Sequence, residues 1–187
     1  MWPWEHIAFA YVLVSGVTRV LWGRPPSDRA VVALVVAALL PDLVDKPLAW
    51  GFDVLPSGRS LAHSLVVAVP AAVVALGVGI QRNDVATAVA FGTAYFSHLA
   101  GDVLYPLVTD GALRVTFLLW PLVPADPGDA QNIGHVFDLV AAYGEFLASP
   151  QGLAYLALEA VALALAALLW AVDGAPGRWW RADRRNQ

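Results

Sequence analysis

Residues Thr93 to Pro106 read TAYFSHLAGDVLYP, and the fold turns on how that stretch is understood. It lies in a run, 85–108, that is otherwise apolar enough for lipid, yet it carries His98 and, four residues later, Asp102. On a helix, positions i and i+4 stand one above the other on one face. An imidazole and a carboxylate then project together from a segment suited to hydrocarbon. Ionisable groups in such a setting are costly and point to function. The plainer alternative is a hydrogen-bonded pair tying two helices together. Which holds depends on whether other segments send ligands to the same place.

The rest of the chain has the composition of a polytopic membrane protein. Its 187 residues are 59% hydrophobic and only 14% charged, with a mean hydropathy of +0.63. A soluble domain of this size carries about a quarter charged residues. The expected fold is an all-α bundle of about five spans, near 7–22, 30–50, 61–80, 85–108 and 151–172. These form one domain, 1–173, followed by a basic, aromatic tail, 174–187. The absence of cysteine excludes disulfides and a thiolate metal site. The run after MWPWEH has no basic region before it, so no cleavable signal peptide is expected. Nothing in the modest net charge of −4 suggests nucleic acid.

Between the spans, Pro41 should bend or end the second helix, leaving Asp42 and Asp45 at its exit. The third span should carry His63 and Ser64 in its first turn and kink at Pro70. Leu113 to Pro124 is apolar but too short to cross a hydrocarbon core of about 30 Å, so an interfacial or re-entrant piece is expected. Ile133 to Ala148, with Ile133, Val136, Phe137, Val140 and Leu147 apolar, reads as an amphipathic helix against the bundle or the interface.

Simple alternation of the spans brings the polar residues together. His6 starts span one, Asp42 and Asp45 end span two, His63 starts span three, and His98 and Asp102 lie late in span four. All six fall near one membrane face. The opposite face collects Arg19, Arg24, Arg29, Arg82 and the tail residues Arg178, Arg181, Arg184 and Arg185. The site face has only Lys46, Arg59 and Arg114 as cations, with Asp110, Asp126, Asp129, Asp138 and Glu145 among its acids. By the positive-inside rule the cluster faces the extracytoplasmic side of the cell membrane and the tail is cytoplasmic.

Three histidines with two or three carboxylates suit Zn²⁺, or Mn²⁺ as the harder alternative, in a one-ion or two-ion arrangement. Arg59, four residues before His63, could meet an anionic oxygen of a phosphoester or simply sit at the headgroup level. Ser64 lacks an adjacent base and suits a hydrogen-bonding role better than a nucleophilic one. His6 could be a ligand or an interfacial residue beside Trp2 and Trp4. His135 and Asp138 could add ligands or form a solvated helix face. Glu159, inside the last span, needs a partner of some kind.

The motifs together resemble the YdjM-like membrane-bound metal-dependent hydrolases. Those proteins have an early GH or TH, then LLPDxDHP, HRGxTHSL and GYxSHxxxDxxTPxGxxLLWP. This chain has EHIAFA from Glu5, LLPDLVDKP from Leu39, GRSLAHSL from Gly58, AYFSHLAGDVLYP from Ala94 and LLWP from Leu118. It differs at Gly58, Ser60 and Ala62, and in a one-residue shift that puts Asp45 and Lys46 where the family has its DH pair. The family is in turn similar to zinc-dependent phospholipases C in ligand order. The resemblance implies His6, Asp42, His63, His98 and Asp102 as metal ligands and Arg59 as the family arginine. It also implies Asp42 or Asp45 as a general base.

The expected function is therefore metal-dependent hydrolysis of a phosphoester, a membrane lipid or a small lipid-like molecule being the substrate. The alternative is a non-catalytic membrane protein in which the cluster is a structural metal clamp or an ion or proton site.

Overall fold

In the computed structural model, residues 1–109, 111–125 and 134–177 are described, without the side chains of 135, 136, 138, 139 and 142. The expectations for Asp110, Asp126, Asp129, the side chains of His135 and Asp138, and the tail arginines lie outside these residues. Among the described residues there are six α-helices and no strand.

Helix α1, Pro3–Trp22, has proline in its first turn, where the missing N–H costs nothing, and stops at Gly23 with φ 66°. Helix α2, Asp28–Lys46, is capped by Ser27, whose Oγ accepts from the Ala30 amide at 3.2 Å. It continues past Pro41 and ends in a π-helical turn, Pro47–Gly51. Pro41 therefore does not end the helix; packing of this buried turn outweighs the one backbone bond lost.

Helices α3, Leu65–Gln81, and α4, Val85–Thr109, form a tight hairpin. At their crossing a Cβ on Gly79 would lie 2.6 Å from the Ala88 Cβ, so only glycine admits this approach. Helix α5, Pro-free and short, spans His135–Leu147, and α6 spans Pro150–Val172. Helix α5 leans on its neighbours through Tyr143, 4.9 Å from Trp2, and Phe146, 5.8 Å from Tyr155. Its Phe137 and Val140 point outward.

Helix α4 is the hub, packed against α1, α2 and α3, while α6 packs on α1 and α5. The core between them is built mainly from small residues: Ala10, Ala30, Ala37, Ala38, Ala68, Ala90 and Ala94, with Leu34, Tyr95 and Leu99. Small residues let helix backbones approach closely, as they must where lipid gives no hydrophobic drive. The large apolar side chains face out instead. Val73, Val74, Leu158, Val161, Leu165 and Leu168 are all more than half exposed.

One described helix, α6, is both long and apolar enough to cross a membrane by itself; α3 is apolar but has 17 residues. The others are diluted by the polar residues they carry, including His6, Arg19, Asp42, His98 and Asp102. The segment after α4 forms no long helix among the described residues. It makes a 3₁₀ turn, Thr116–Leu119, that buries Phe117.

Candidate metal centre

His98 and Asp102 project from α4 into the bundle, and both are buried. His63 reaches the same point from the loop before α3, where Ser64 is the N-cap. The third helix thus starts later than its apolar run suggests. The reason is Asp45, buried at the end of α2. Its Oδ2 accepts from the amides of Ser60 at 2.9 Å and His63 at 3.1 Å, and its Oδ1 accepts from that of Ala62 at 2.8 Å. Backbone donors wrapped around a buried carboxylate hold this loop out of the helix.

The same Asp45 Oδ2 lies 2.8 Å from His63 Nδ1. That contact fixes the proton of the neutral ring on Nδ1 and turns its Nε2 lone pair inward. His98 is held the same way, since its Nδ1 lies 2.7 Å from the Ala38 carbonyl, which can only accept. Ala38 lies in the α2 turn that Pro41 interrupts. The two Nε2 atoms then face each other at 3.1 Å. Two lone pairs at that distance repel unless a proton or a metal ion lies between them.

Carboxylates add to the same surplus of acceptors. His63 Nε2 is 3.4 Å from Asp42 Oδ1 and 3.4 Å from Asp102 Oδ2. His98 Nε2 is 3.9 Å and 3.8 Å from the same two oxygens. The four ligand atoms all lie within 4.8 Å of one another. The donor set is compact enough to close on a single metal ion. Burial opposes charging of His63, on its loop, yet the Asp102, Asp42 and Asp45 carboxylates outweigh it and lift the imidazole to about 10. The site seeks positive charge.

His6 joins the cluster from α1 but not the inner four. It is 1% exposed, stacks on His98 with ring centroids 3.8 Å apart, and places Nε2 3.3 Å from Asp102 Oδ1. Neither of its ring nitrogens has an aligned hydrogen bond. Gly101 lies against it and against Met1; a Cβ there would stand 2.5 Å from Met1 Sδ and 3.4 Å from His6 Nδ1. Asp102 thus offers one oxygen to the inner cluster and the other to His6.

The remaining candidates sit around this core. Lys46 Nζ is 2.6 Å from Asp42 Oδ2. Arg59 lies with its guanidinium carbon 5.5 Å from the centre of the Phe117 ring, and that ring meets His63 edge-on at 6.2 Å. Ser64 Oγ donates to the Leu61 carbonyl at 3.0 Å and does not join the cluster. Glu159 accepts from the Trp4 indole at 2.7 Å, which answers its need for a partner. Sequence reasoning passed over Glu5, which is buried beside His6 and accepts hydrogen bonds from Tyr155 Oη and the Trp2 amide. It precedes the first span expected from the sequence, 7–22, so no spacing marked it. Phe117 was missed for a different reason, since an aromatic in an apolar run carries no positional signal.

Against known proteins, a family model described as YdjM inner membrane protein matches residues 1–177. No match is found among curated proteins or solved structures.

Proposed function

We propose a function for a chain that, on this match, belongs to the YdjM inner membrane protein family and so resides in the membrane. It acts as a metal-dependent hydrolase of phosphoesters, with Zn²⁺ as the first choice of ion and Mn²⁺ as the second. The observation that carries the reading is the pair of lone-pair-bearing Nε2 atoms 3.1 Å apart, flanked by Asp42 and Asp102. Such a set calls for positive charge at its centre, and a divalent ion supplies more of it than a proton on His63. An ion bound there would supply Lewis acidity and a source of hydroxide at neutral pH.

The chain's own residues divide the remaining work. Asp42, His63, His98 and Asp102 hold the ion, and His6 supports or extends the set through Asp102. Asp45 and the Ala38 carbonyl fix the tautomer and direction of the two imidazoles, the outer-partner role that tunes metal sites. Asp45 is thereby a positioning residue, and Asp42 is the better-placed base of the two. Arg59, steadied on Phe117, is suited to the anionic oxygens of a phosphoester. A lipid substrate is favoured by the membrane setting and by the exposed apolar flanks of the bundle.

Five crossings are proposed for α1, α2, α3, α4 and α6. The support is the outward display of large apolar side chains and the interior of small and polar ones. In that topology the metal centre opens to the extracytoplasmic side and the arginine-rich end faces the cytoplasm.

One observation favours a second reading. Four buried donors complete a tetrahedral ion, and closed sites of that kind are structural. Metal analysis of the purified protein together with turnover of bis(p-nitrophenyl) phosphate and of phospholipids separates the two. Stoichiometric Zn or Mn with hydrolysis supports the enzyme. Bound metal with no turnover across an ester panel favours the clamp, and no metal at all overturns both.

A further inference from the structure

At the end of the bundle away from the metal centre, α2, α3 and α4 enclose a cleft of about 530 Å³. That volume is within the range of small-ligand sites, about 300–1,000 Å³. Its mouth carries Arg29, at the start of α2, and Arg82, in the turn after α3. Its walls are apolar: Ala33, Ala75, Val78 and Phe91. Thr87 also lines it, and the Thr87 hydroxyl is shielded from solvent with no hydrogen-bond partner. A hydroxyl in that position is satisfied by an acceptor inside the cleft.

The one acid at the mouth does not cancel this charge. Asp84 lies 3.9 Å from Arg29, whose side chain is 85% exposed. An exposed contact of that length contributes little and yields readily to a better acceptor. Phosphate is such an acceptor, because a guanidinium offers it paired, charge-assisted hydrogen bonds. Below the mouth, the apolar wall continues onto the outer face of α3, where Val78, Val74 and Val73 are exposed. A ligand matching the whole surface has an anionic head and hydrocarbon tails.

We propose that this cleft binds an anionic phospholipid, its phosphate held between Arg29 and Arg82 and its acyl chains lying along α3. Basic pockets between membrane helices take anionic headgroups on these terms. The site is separate from the metal centre and stands whether or not that centre is catalytic.

The test uses the full chain, purified in detergent and exposed to mixed micelles with equal phosphatidylglycerol and phosphatidylcholine. Native mass spectrometry then reads the lipid retained. Wild type should hold phosphatidylglycerol with a preference on the order of 10-fold, and the Arg29→Gln/Arg82→Gln variant should show almost none. The single Arg29→Gln variant, altered at a surface position, should lose part of the preference, as should Thr87→Val. Metal content should stay at the wild-type level in all of them, which reports an intact bundle. Equal retention of the two lipids by wild type, or an undiminished preference in the double variant, overturns the proposal. So does displacement of the lipid by millimolar inorganic phosphate, which would make the cleft a free-anion site.

Discussion

Buried carboxylates occur at both ends of this bundle, and the two ends treat them oppositely. At the arginine end, Asp173 closes α6 and its side chain is fully shielded. It receives Tyr11 Oη and Ser15 Oγ, each at 2.7 Å, and the Arg19 guanidinium. Every donor is supplied by the chain itself, and the cluster clamps α1 to α6. At the other end, Asp42 and Asp102 converge with the Nε2 atoms of His63 and His98 on one point. Lys46 meets the outer oxygen of Asp42 and the N-terminal amine that of Asp102, while their inner oxygens face only the two Nε2 atoms. A buried charge is tolerated when paired, so the first cluster is complete in itself while the second is completed by a shared proton or metal ion. Burial alone distinguishes nothing here; the count of donors against acceptors does.

Removing a ligand from the incomplete end should give the largest effect. His98→Ala takes away one of the two opposed Nε2 atoms, so metal affinity should fall by more than the 10–100-fold that outer partners typically cost. Elemental analysis after dialysis against a graded chelator measures this, and unchanged affinity would break the contrast between the ends. Asp45→Asn should fall in that 10–100-fold range itself, because the ring of His63 loses its fixed tautomer while every inner ligand remains. A drop as deep as that of His98→Ala would make Asp45 a ligand instead of a support.

The complete end should respond in stability, not in metal. Asp173→Asn weakens charge-assisted bonds from Tyr11, Ser15 and Arg19, for an expected loss of about 1–3 kcal/mol in thermal or denaturant unfolding. Its metal content should equal that of wild type; coupled loss of metal would show that the two ends are not independent. The smallest effect is expected at Gly101→Ala. Its new methyl must push aside the Met1 thioether, 2.5 Å away, and only touches His6 while the inner four donors stay in place, so metal affinity should shift only a few-fold, read by the same chelator titration.

Much of the candidate metal centre is legible in the sequence. The i, i+4 spacing of His98 and Asp102, and the parity of the spans that bring His6, Asp42 and His63 to their end, follow from helix period and loop number. Asp42 and Asp45 could not be told apart in the same way. They are identical groups three residues apart on one helix, and what separates them is that loop amides from Ser60, Ala62 and His63 close around Asp45. That loop also explains why the helix after it begins at Leu65, and Pro41 was similarly overruled by packing. Neither outcome is a local property of the residues concerned.

By itself, then, the sequence determined the helical class, the membrane family motifs, the polar end of the bundle and the residue types that meet there. These depend on periodicity, composition and order along the chain. Only the tertiary structure decided which carboxylate faces the inner cluster and which stands behind an imidazole. It also decided which ring nitrogens carry protons, and that Phe117 comes to lie between Arg59 and His63. Those depend on distances between segments far apart in the chain, where a change of about 1 Å separates a ligand from its support.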